Sequence, residues 1–382
     1  MARTFAIVAG GGTAGHVVPG LAIASELVAR GLTPEQVHYV GSVRGIERRL
    51  VPEAGFPLTL LPGRGIQRRL TLANVGAVLG LVAAVFTGIG LVRRLRPAVV
   101  IGLGGYASVP CLIGALVWRV PIVLAEQNAV PGAANRLAGR FAKACAVSFD
   151  GTDLPRSVWT GNPVRAEVLA VAEVGEGDRR AARQRLGVDQ ERTMVTVFGG
   201  SLGARRINHA VAEACGAWGD RADLAVRHVS GARDHPELVE RLAGLDHGAL
   251  AYGLVEYEDD MPAVYAATDV VLCRAGASSV AELAVAGVPS ILVPLPGAPG
   301  DHQTANARAL VEAGAAVLVA DDDLDAARVR AEIDMLVADP ERRAEMRAAA
   351  RSLARPNAAG AVVDLVARHA RRPLPEEAAD DT

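Results

Sequence analysis

The stretch VVLCRAGASSVAELAVAGVPSILVP, Val270 to Pro294, decides how the rest of this chain is read. Its apolar run Val270 to Cys273 predicts a buried strand, and Arg274 to Ala277 predicts a turn. Val280, Leu283, Ala284 and Ala286 then recur at helical spacing up to Gly287. Ala277, Ser278 and Ser279 fall where that helix begins. Two serine hydroxyls therefore meet the unpaired N–H groups and positive dipole end of a first helical turn, a place suited to an anion. Glu282 lies three and four residues beyond the serines, on their face. A carboxylate just past a phosphate cradle can take both hydroxyls of a ribose. The same letters also read as ordinary capping, with Ser279 as the cap and Glu282 as a capping-box partner turned to solvent. This stretch alone does not separate the two.

At 382 residues the chain has the length of two domains. A hydrophobic share of 51%, a charged share of 21% and a net charge of -2 fit a soluble globular protein and argue against bulk nucleic-acid binding. Lys143 is the only lysine, so positive charge here is almost wholly arginine. Cys111, Cys145, Cys215 and Cys273 lie in apolar runs without paired spacing, which predicts free thiols and a reducing compartment. The first residues, MARTFAIVAGGG, enter a strand at once with no room for a signal peptide, and a cytoplasmic protein is expected.

Phe5 to Ala9 reads as a parallel strand, followed by Gly10, Gly11, Gly12, Thr13, Ala14, Gly15 and His16, then a helix around Leu21 to Ala29. Gly10, Gly12 and Gly15 satisfy the dinucleotide spacing G-x-G-x-x-G. That reading needs an acidic residue closing the second strand, Val37 to Val40, and Gly41, Ser42, Val43 and Arg44 follow instead. Arg44 keeps a 2′-phosphate cofactor open.

From Leu72 to Val92 run 21 residues without a charge, flanked by Arg64, Arg68 and Arg69 before and Arg93, Arg94 and Arg96 after. A spanning helix has the length, but Asn74 and four glycines dilute it, and it would interrupt the strand and helix alternation. The reading adopted is a core helix with a partly exposed apolar face, beside arginines that suit an anionic membrane surface.

Ala98 to Ile101 reads as a strand entering a second glycine turn with Gly104, Gly105 and Tyr106, then an apolar helix to Trp118. Ile122 to Leu124 leads into Glu126, Gln127 and Asn128, a polar trio at a strand's carboxyl end, where α/β proteins hold ligands. Loop and cap chemistry before the helix Ala133 to Ala138 is the plain alternative. Gly161 to Arg165 reads as an interdomain link. The plan then repeats. Met194 to Phe198 enters Gly199, Gly200, Ser201, Leu202, Gly203, which overlies Gly11 to Gly15 at a constant offset of 188. Two phosphate-compatible turns at matching positions predict two similar doubly wound domains. Ala225 to Val229 reads as a further strand, and Asp301, His302, Gln303 and Asn306 again fall between strand and helix. Asp321, Asp322 and Asp323 match the D-x-D of metal-dependent sugar transferases, yet acidic residues in a helix's first turn explain them without a metal. No metal and no cofactor are expected.

Taken together, GGGTAGHVVPGLAIA, GLGGYASVP, AEQNAVPG, GNPVR, FGGSLGAR, CRAGASSVAEL and DHQTANA closely resemble, in this order and from Ala6 to about Asn306, the MurG family of cell-wall glycosyltransferases. The resemblance implies an α/β GT-B fold, two Rossmann-like doubly wound parallel-sheet domains facing a cleft. Domain bounds of 1–163, acceptor- and membrane-facing, and 164–356, UDP-sugar-binding, are expected. A final helix at about 357–372 would pack back on the first domain, followed by an acidic, disordered tail 373–382. It implies inverting transfer from UDP-N-acetylglucosamine to the 4-hydroxyl of an undecaprenyl-linked muramyl peptide, by a peripheral protein on the cytoplasmic face of the cell membrane. Carried over by position, Ser278, Ser279, Ser201 and Arg165 would meet the diphosphate, with Ala277 beside them. Glu282 would hold the ribose, and His302 and Gln303 the sugar hydroxyls. Thr13, Ala14, Gly15 and Asn128 would complete the donor site. Gly104, Gly105 and Tyr106, with Arg68, Arg69, Arg93 and Arg94, would serve the acceptor and the membrane. Glu258 stands where other members can offer an apolar residue to uracil.

Without a metal, fixed donors must meet the leaving charge. A helix terminus supplies about 0.3 to 1 kcal/mol and each charge-assisted hydrogen bond roughly 1.5 to 3 kcal/mol, so several donors can replace a divalent ion. His16, following the first glycine turn and of a type that titrates near neutrality, is the candidate general base. A helix-terminus hydrogen bonder is its plain alternative. A dinucleotide oxidoreductase and a non-catalytic membrane scaffold are the competing classes.

Overall fold

The computed structural model describes residues 3–62, 72–200, 203–244 and 246–375, with backbone alone for 72–79. Arg68, Arg69, Ser201 and the tail beyond Pro375 lie outside the described residues. The chain forms two compact units, Met1–Arg165 with Arg355–Thr382, and Ala166–Ala354.

The first unit carries seven parallel strands: β1 Ala6–Ala9, β2 Val37–Ser42, β3 Leu58–Leu61, β4 Val99–Gly102, β5 Ile122–Glu126, β6 Ala144–Val147 and β7 Ser157–Trp159. Their order across the sheet is β3-β2-β1-β4-β5-β6-β7. The second unit carries six: β8 Thr193–Phe198, β9 Leu224–Val229, β10 Ala251–Val255, β11 Val270–Cys273, β12 Ser290–Leu292 and β13 Ala316–Leu318, ordered β10-β9-β8-β11-β12-β13. Strands such as β1, β4, β6 and β11 are buried along their whole length, as continuous apolar runs covered on both faces must be. In each sheet the strand order reverses once, between β1 and β4 and between β8 and β11. Doubly wound folds bind ligands at the carboxyl ends of those two strands, where the outgoing loops diverge.

The long apolar segment forms one helix, Leu72–Leu95. It packs on the helix Val109–Val117 through glycines: a Cβ on Gly114 would stand 2.9 Å from the Gly88 carbonyl, and one on Gly88 only 2.5 Å from Pro110. The glycines that dilute its hydrophobicity are what let the two backbones touch. Ala84, Leu91 and Val92 are buried while Phe86 is 72% exposed, the mixed core and surface helix expected. Among the described residues no helix is long and apolar enough to cross a membrane.

The helix Ala358–His369 buries Val362, Val363, Leu365 and Val366 among Ile23, Leu27, Val99 and Val123. The last described helix thus completes the core of the first unit.

Candidate active site

At the switch point of the first unit, β1 delivers Gly10 to Gly15 and β4 delivers Gly104 and Gly105. Gly12, at φ +95, turns the chain sharply. Its N–H donates to both oxygens of Glu47, at 3.1 and 3.0 Å. The same carboxylate accepts the Ser42 N–H at 2.6 Å and the Ser42 hydroxyl at 3.0 Å, and Glu47 is fully buried. An internal anion therefore fills the first glycine turn. A diphosphate there would meet a carboxylate rather than open amides.

The helix Ala14–Ala29 begins directly after this turn, and His16 lies in its first turn. The His16 Nδ1 faces the Thr13 hydroxyl at 3.2 Å, and its backbone N–H donates to the Thr13 carbonyl at 3.1 Å. Its Nε2 side abuts the second glycine turn, 3.5 Å from where a Cβ on Gly104 would stand. Gly104 and Gly105 take φ of +88 and +72, so the ring approaches bare backbone that any larger residue would block. Tyr106 closes this side, its hydroxyl donating to the Pro62 carbonyl at 2.6 Å.

Glu126, at the end of β5 and 3% exposed, shapes the next loop. One oxygen accepts the Asn128 N–H at 3.0 Å; the other accepts the Gly132 N–H and the Asn135 side-chain amide, each at 3.0 Å. Asn128 is thereby held half-exposed at the carboxyl edge of the sheet.

In the second unit, β11 runs into the helix Ala277–Ala286. Its cap is Gly276, in extended conformation with no side-chain capping bond, so Ser278 and Ser279 are the second and third helical residues. Ser279 is not the cap. Glu282 does not turn to solvent either: it is 9% exposed and accepts the Tyr265 hydroxyl at 2.9 Å. The capping-box reading fails on both residues. The Ser278 hydroxyl oxygen is buried and has no hydrogen-bond partner among the described residues. Such a group costs about 1 to 3 kcal/mol unless something pairs with it.

The floor of this turn is fixed by Arg274. It donates to the carbonyls of Val293 and Pro294 at 3.2 and 3.0 Å and pairs with Asp321 at 2.5 Å. The Asn306 side-chain amide ties the neighbouring helix His302–Glu312 to the Ala275 carbonyl at 3.2 Å. That places His302 and Gln303, at the helix start, beside the serine turn. His302 Nδ1 donates to the Pro299 carbonyl at 2.9 Å, and the Gln303 amide oxygen accepts the Leu295 N–H at 2.9 Å.

The chain matches the glycosyltransferase family 28 N-terminal domain over residues 6–147 and the glycosyltransferase family 28 C-terminal domain over residues 194–362. A protein of Desulforudis audaxviator named UDP-N-acetylglucosamine–N-acetylmuramyl-(pentapeptide) pyrophosphoryl-undecaprenol N-acetylglucosamine transferase is 38% identical over 368 residues, 94% of this chain and 97% of that one. A Nocardioides protein of the same name is 41% identical over 348 residues, 91% and 93% of the two chains. This chain belongs to glycosyltransferase family 28. The crystal structure of Acinetobacter baumannii MurG matches it with a TM-score of 0.74 at 28% identity, covering 96% of this chain and 99% of that one.

For a family 28 glycosyltransferase the dinucleotide spacing at Gly10, Gly12 and Gly15 is a by-product of a tight strand-to-helix turn, and the oxidoreductase reading falls with it. Within the first unit the structure brings together Thr13, Ala14, Gly15, His16, Gly104 and Gly105. Within the second it brings together Ala277, Ser278, Ser279, Glu282, His302 and Gln303. Arg165 is half-buried at the end of the first stretch of the first unit. Arg93 and Arg94 are exposed at the end of the long helix, Arg93 with its guanidinium 5.3 Å from the Trp118 ring centre. Glu258 is spoken for by Arg227, whose Nε and Nη2 donate at 2.7 and 2.5 Å. Asp321 to Asp323 form a short turn ahead of the helix Ala326–Ala338 rather than its first turn, and Asp325 is the cap. Asp321 pairs with Arg274, and the exposed Asp322 faces Arg206 at 3.8 Å. Sequence reading missed Glu47 and Tyr265. A signal for Glu47 existed: Gly11, Gly41 and Gly45 each leave room that a Cβ would fill within 2.3 Å of its side chain.

Proposed function

We propose that this chain transfers N-acetylglucosamine from UDP-N-acetylglucosamine, with inversion, to the 4-hydroxyl of an undecaprenyl-pyrophosphoryl muramyl-pentapeptide. The observation that carries the reading is the contrast between the first glycine turn and the start of the helix Ala277–Ala286. Glu47 fills the turn, whereas the helix start offers a buried Ser278 hydroxyl that has no partner among the described residues. The donor diphosphate belongs on the second unit. The first-turn N–H groups of the helix Ala277–Ala286, the Ser278 and Ser279 hydroxyls and Arg165 stabilise the departing UDP. Glu282, braced by Tyr265, takes the ribose hydroxyls, and His302 and Gln303 take hydroxyls of the sugar. Thr13, Ala14, Gly15 and Asn128 complete the donor's surroundings.

His16 is the proposed general base. Its ring, with Nδ1 3.2 Å from the Thr13 hydroxyl, takes the proton of the acceptor 4-hydroxyl as that oxygen attacks the anomeric carbon. The bare backbone at Gly104 and Gly105 gives the acceptor sugar room, and Tyr106 borders it. The bond formed is from the acceptor oxygen to the anomeric carbon. The bond broken is from that carbon to the β-phosphate oxygen, whose charge the serine turn receives.

Peripheral association with an anionic membrane on its cytoplasmic face is part of this proposal. Phe86 and Val82 are exposed on the long helix, which ends in Arg93 and Arg94, and Leu116, Val117 and Trp118 are exposed at the end of the helix packed on it. The test of the whole reading is incubation of labelled UDP-N-acetylglucosamine with the lipid-linked muramyl peptide. Label appearing in a lipid-linked disaccharide supports it; hydrolysis to free sugar alone, or no turnover, removes it.

A further inference from the structure

In the second unit a pocket of about 500 Å³ lies between the turn Ala170–Glu173, the helices Glu176–Arg185 and Met261–Ala267, and the helix Pro340–Ser352. The last of these helices carries Arg343, Arg347 and Arg351 at steps of four, hence on one face, and all three line the pocket. Arg179 joins them from the helix Glu176–Arg185. The acids in the lining are Asp269 and Glu176. Asp269 is shared by Arg179 and Arg183, each at 2.5 Å, and Glu176 is exposed. Among the described residues no carboxylate stands within ion-pair distance of Arg343, Arg347 or Arg351. Elsewhere in the chain such a charge is matched, as Arg221 is by Asp223 and Asp334.

Carbonyls hold these guanidinium groups in place. Arg343 Nη1 donates to the Leu336 and Val337 carbonyls at 2.5 and 2.7 Å, and Arg347 Nη1 donates to the Gly287 carbonyl at 3.2 Å. Those carbonyls close the helices Ala326–Ala338 and Ala277–Ala286, so helix capping accounts for one nitrogen of each group. It leaves the other N–H groups of Arg343 and Arg347, and those of Arg351, without a protein acceptor among the described residues. Arg351 lies against Gly287, where a Cβ would stand 2.6 Å from its Nε. Burial, and then Arg179, hold the half-buried Arg347 guanidinium below its ordinary value; Asp269 opposes this, and Arg351 and Arg343 add to it. Capping explains two cations, but not a third over the same cavity with the repulsion among them unrelieved.

The lining also includes Val171, Val174, Ala266, Ala286, Pro340 and Tyr265. A cavity with both a cationic face and apolar walls suits an organic phosphate: the planar arginine fork matches phosphate oxygens, and the apolar groups cover the carbon part. Glu282 is not in the lining, but Tyr265 is, and its hydroxyl donates to Glu282 at 2.9 Å. The pocket is therefore distinct from the proposed donor site and adjoins it through one side chain. We propose that this pocket binds a soluble organic phosphate monoester, its phosphoryl group on the arginine face and its carbon part against Val171 and Val174.

The test titrates phenyl phosphate, and inorganic phosphate at matched ionic strength, into the full chain saturated with UDP, which closes the donor site to both. Arg351→Gln is expected to keep the wild-type melting temperature and UDP affinity. Its affinity for phenyl phosphate is expected to fall about 10-fold, the loss of one charge-assisted contact. Arg347→Gln is expected to abolish binding; should it unfold, Arg351→Gln decides alone. Wild type is expected to prefer phenyl phosphate over inorganic phosphate by at least ~10-fold, because the ring is taken out of water. No binding to the UDP-saturated chain, or equal affinity in wild type and Arg351→Gln, overturns the pocket. Inorganic phosphate that binds as tightly as phenyl phosphate overturns the organic ligand. A chain that ignores UDP but binds phenyl phosphate, with the loss in Arg351→Gln, supports the pocket while the transferase reading fails.

Discussion

The carboxylate of Glu47 accepts the backbone N–H of Gly12 through both oxygens, across 35 residues of chain. This contact fills the first glycine turn with a carboxylate. It also holds the turn that leads into the helix carrying His16. Glu47→Gln puts an NH2 where an acceptor is needed, and a buried mismatch of that kind costs about 1 to 3 kcal/mol. Urea unfolding is expected to shift by that amount, and turnover to fall about 10-fold with little change in donor KM, since the loop that moves carries the base and not the diphosphate. Wild-type stability and turnover in Glu47→Gln would show that the carboxylate does not hold the loop.

Ser278 gives the opposite signature. Its buried hydroxyl lacks a partner among the described residues, so Ser278→Ala removes a polar group that folding left unsatisfied. Stability is expected to stay level or rise. Donor KM is expected to rise about 10-fold, the equivalent of one lost hydrogen bond of about 1.4 kcal/mol. A variant that melts earlier and binds donor normally would assign the hydroxyl to the fold instead.

For His16, replacement by alanine is expected to lower kcat on the order of 100-fold while donor binding, measured by titration, holds. Thr13→Val tests the ring's orientation. Losing the hydroxyl 3.2 Å from Nδ1 lets the imidazole turn, and turnover is expected to fall although the ring remains. Near-normal kcat in His16→Ala places the proton transfer elsewhere.

Acid sensitivity has a specific buried source. His228 lies between the Tyr252 hydroxyl at 2.8 Å and the Asn208 amide oxygen at 3.0 Å, and burial brings it down to about 4. Between its ordinary range and that value the unfolded chain takes up a proton that the folded chain refuses. Stability therefore falls as pH falls, by roughly 2 kcal/mol between pH 7 and pH 5. Denaturant midpoints across that window are expected to drop in wild type, with a flatter slope in His228→Gln. Parallel slopes would acquit His228.

The parallel strands were legible because burial on both faces leaves an apolar run, as in Val270 to Cys273. Their ends were less so: β2 continues to Ser42 and β5 to Glu126, since polar residues at a carboxyl edge still pair in the sheet. The helix start at Ala277 was legible, but its cap was not. Gly276 already supplies the extended conformation that Ser279 was expected to provide, and Glu282 is drawn inward by a tyrosine on another helix. Glu47 was invisible for a related reason, its partners being set by the fold rather than by local spacing. Glycines at 11, 41 and 45 recorded its presence only as missing side chains. The 188-residue repeat correctly indicated two similar sheets.

The central claim is that the donor's diphosphate is gripped by the amides and hydroxyls at the start of the helix Ala277–Ala286, without a bound cation. Crystals soaked with UDP-N-acetylglucosamine in the presence of a chelator test it most directly. Density for the diphosphate within about 3 Å of the Ser278 and Ser279 amides, with the ribose at Glu282, is the predicted result. Density at the Gly10 to Gly15 turn, or density that appears only when a divalent ion is restored, contradicts it.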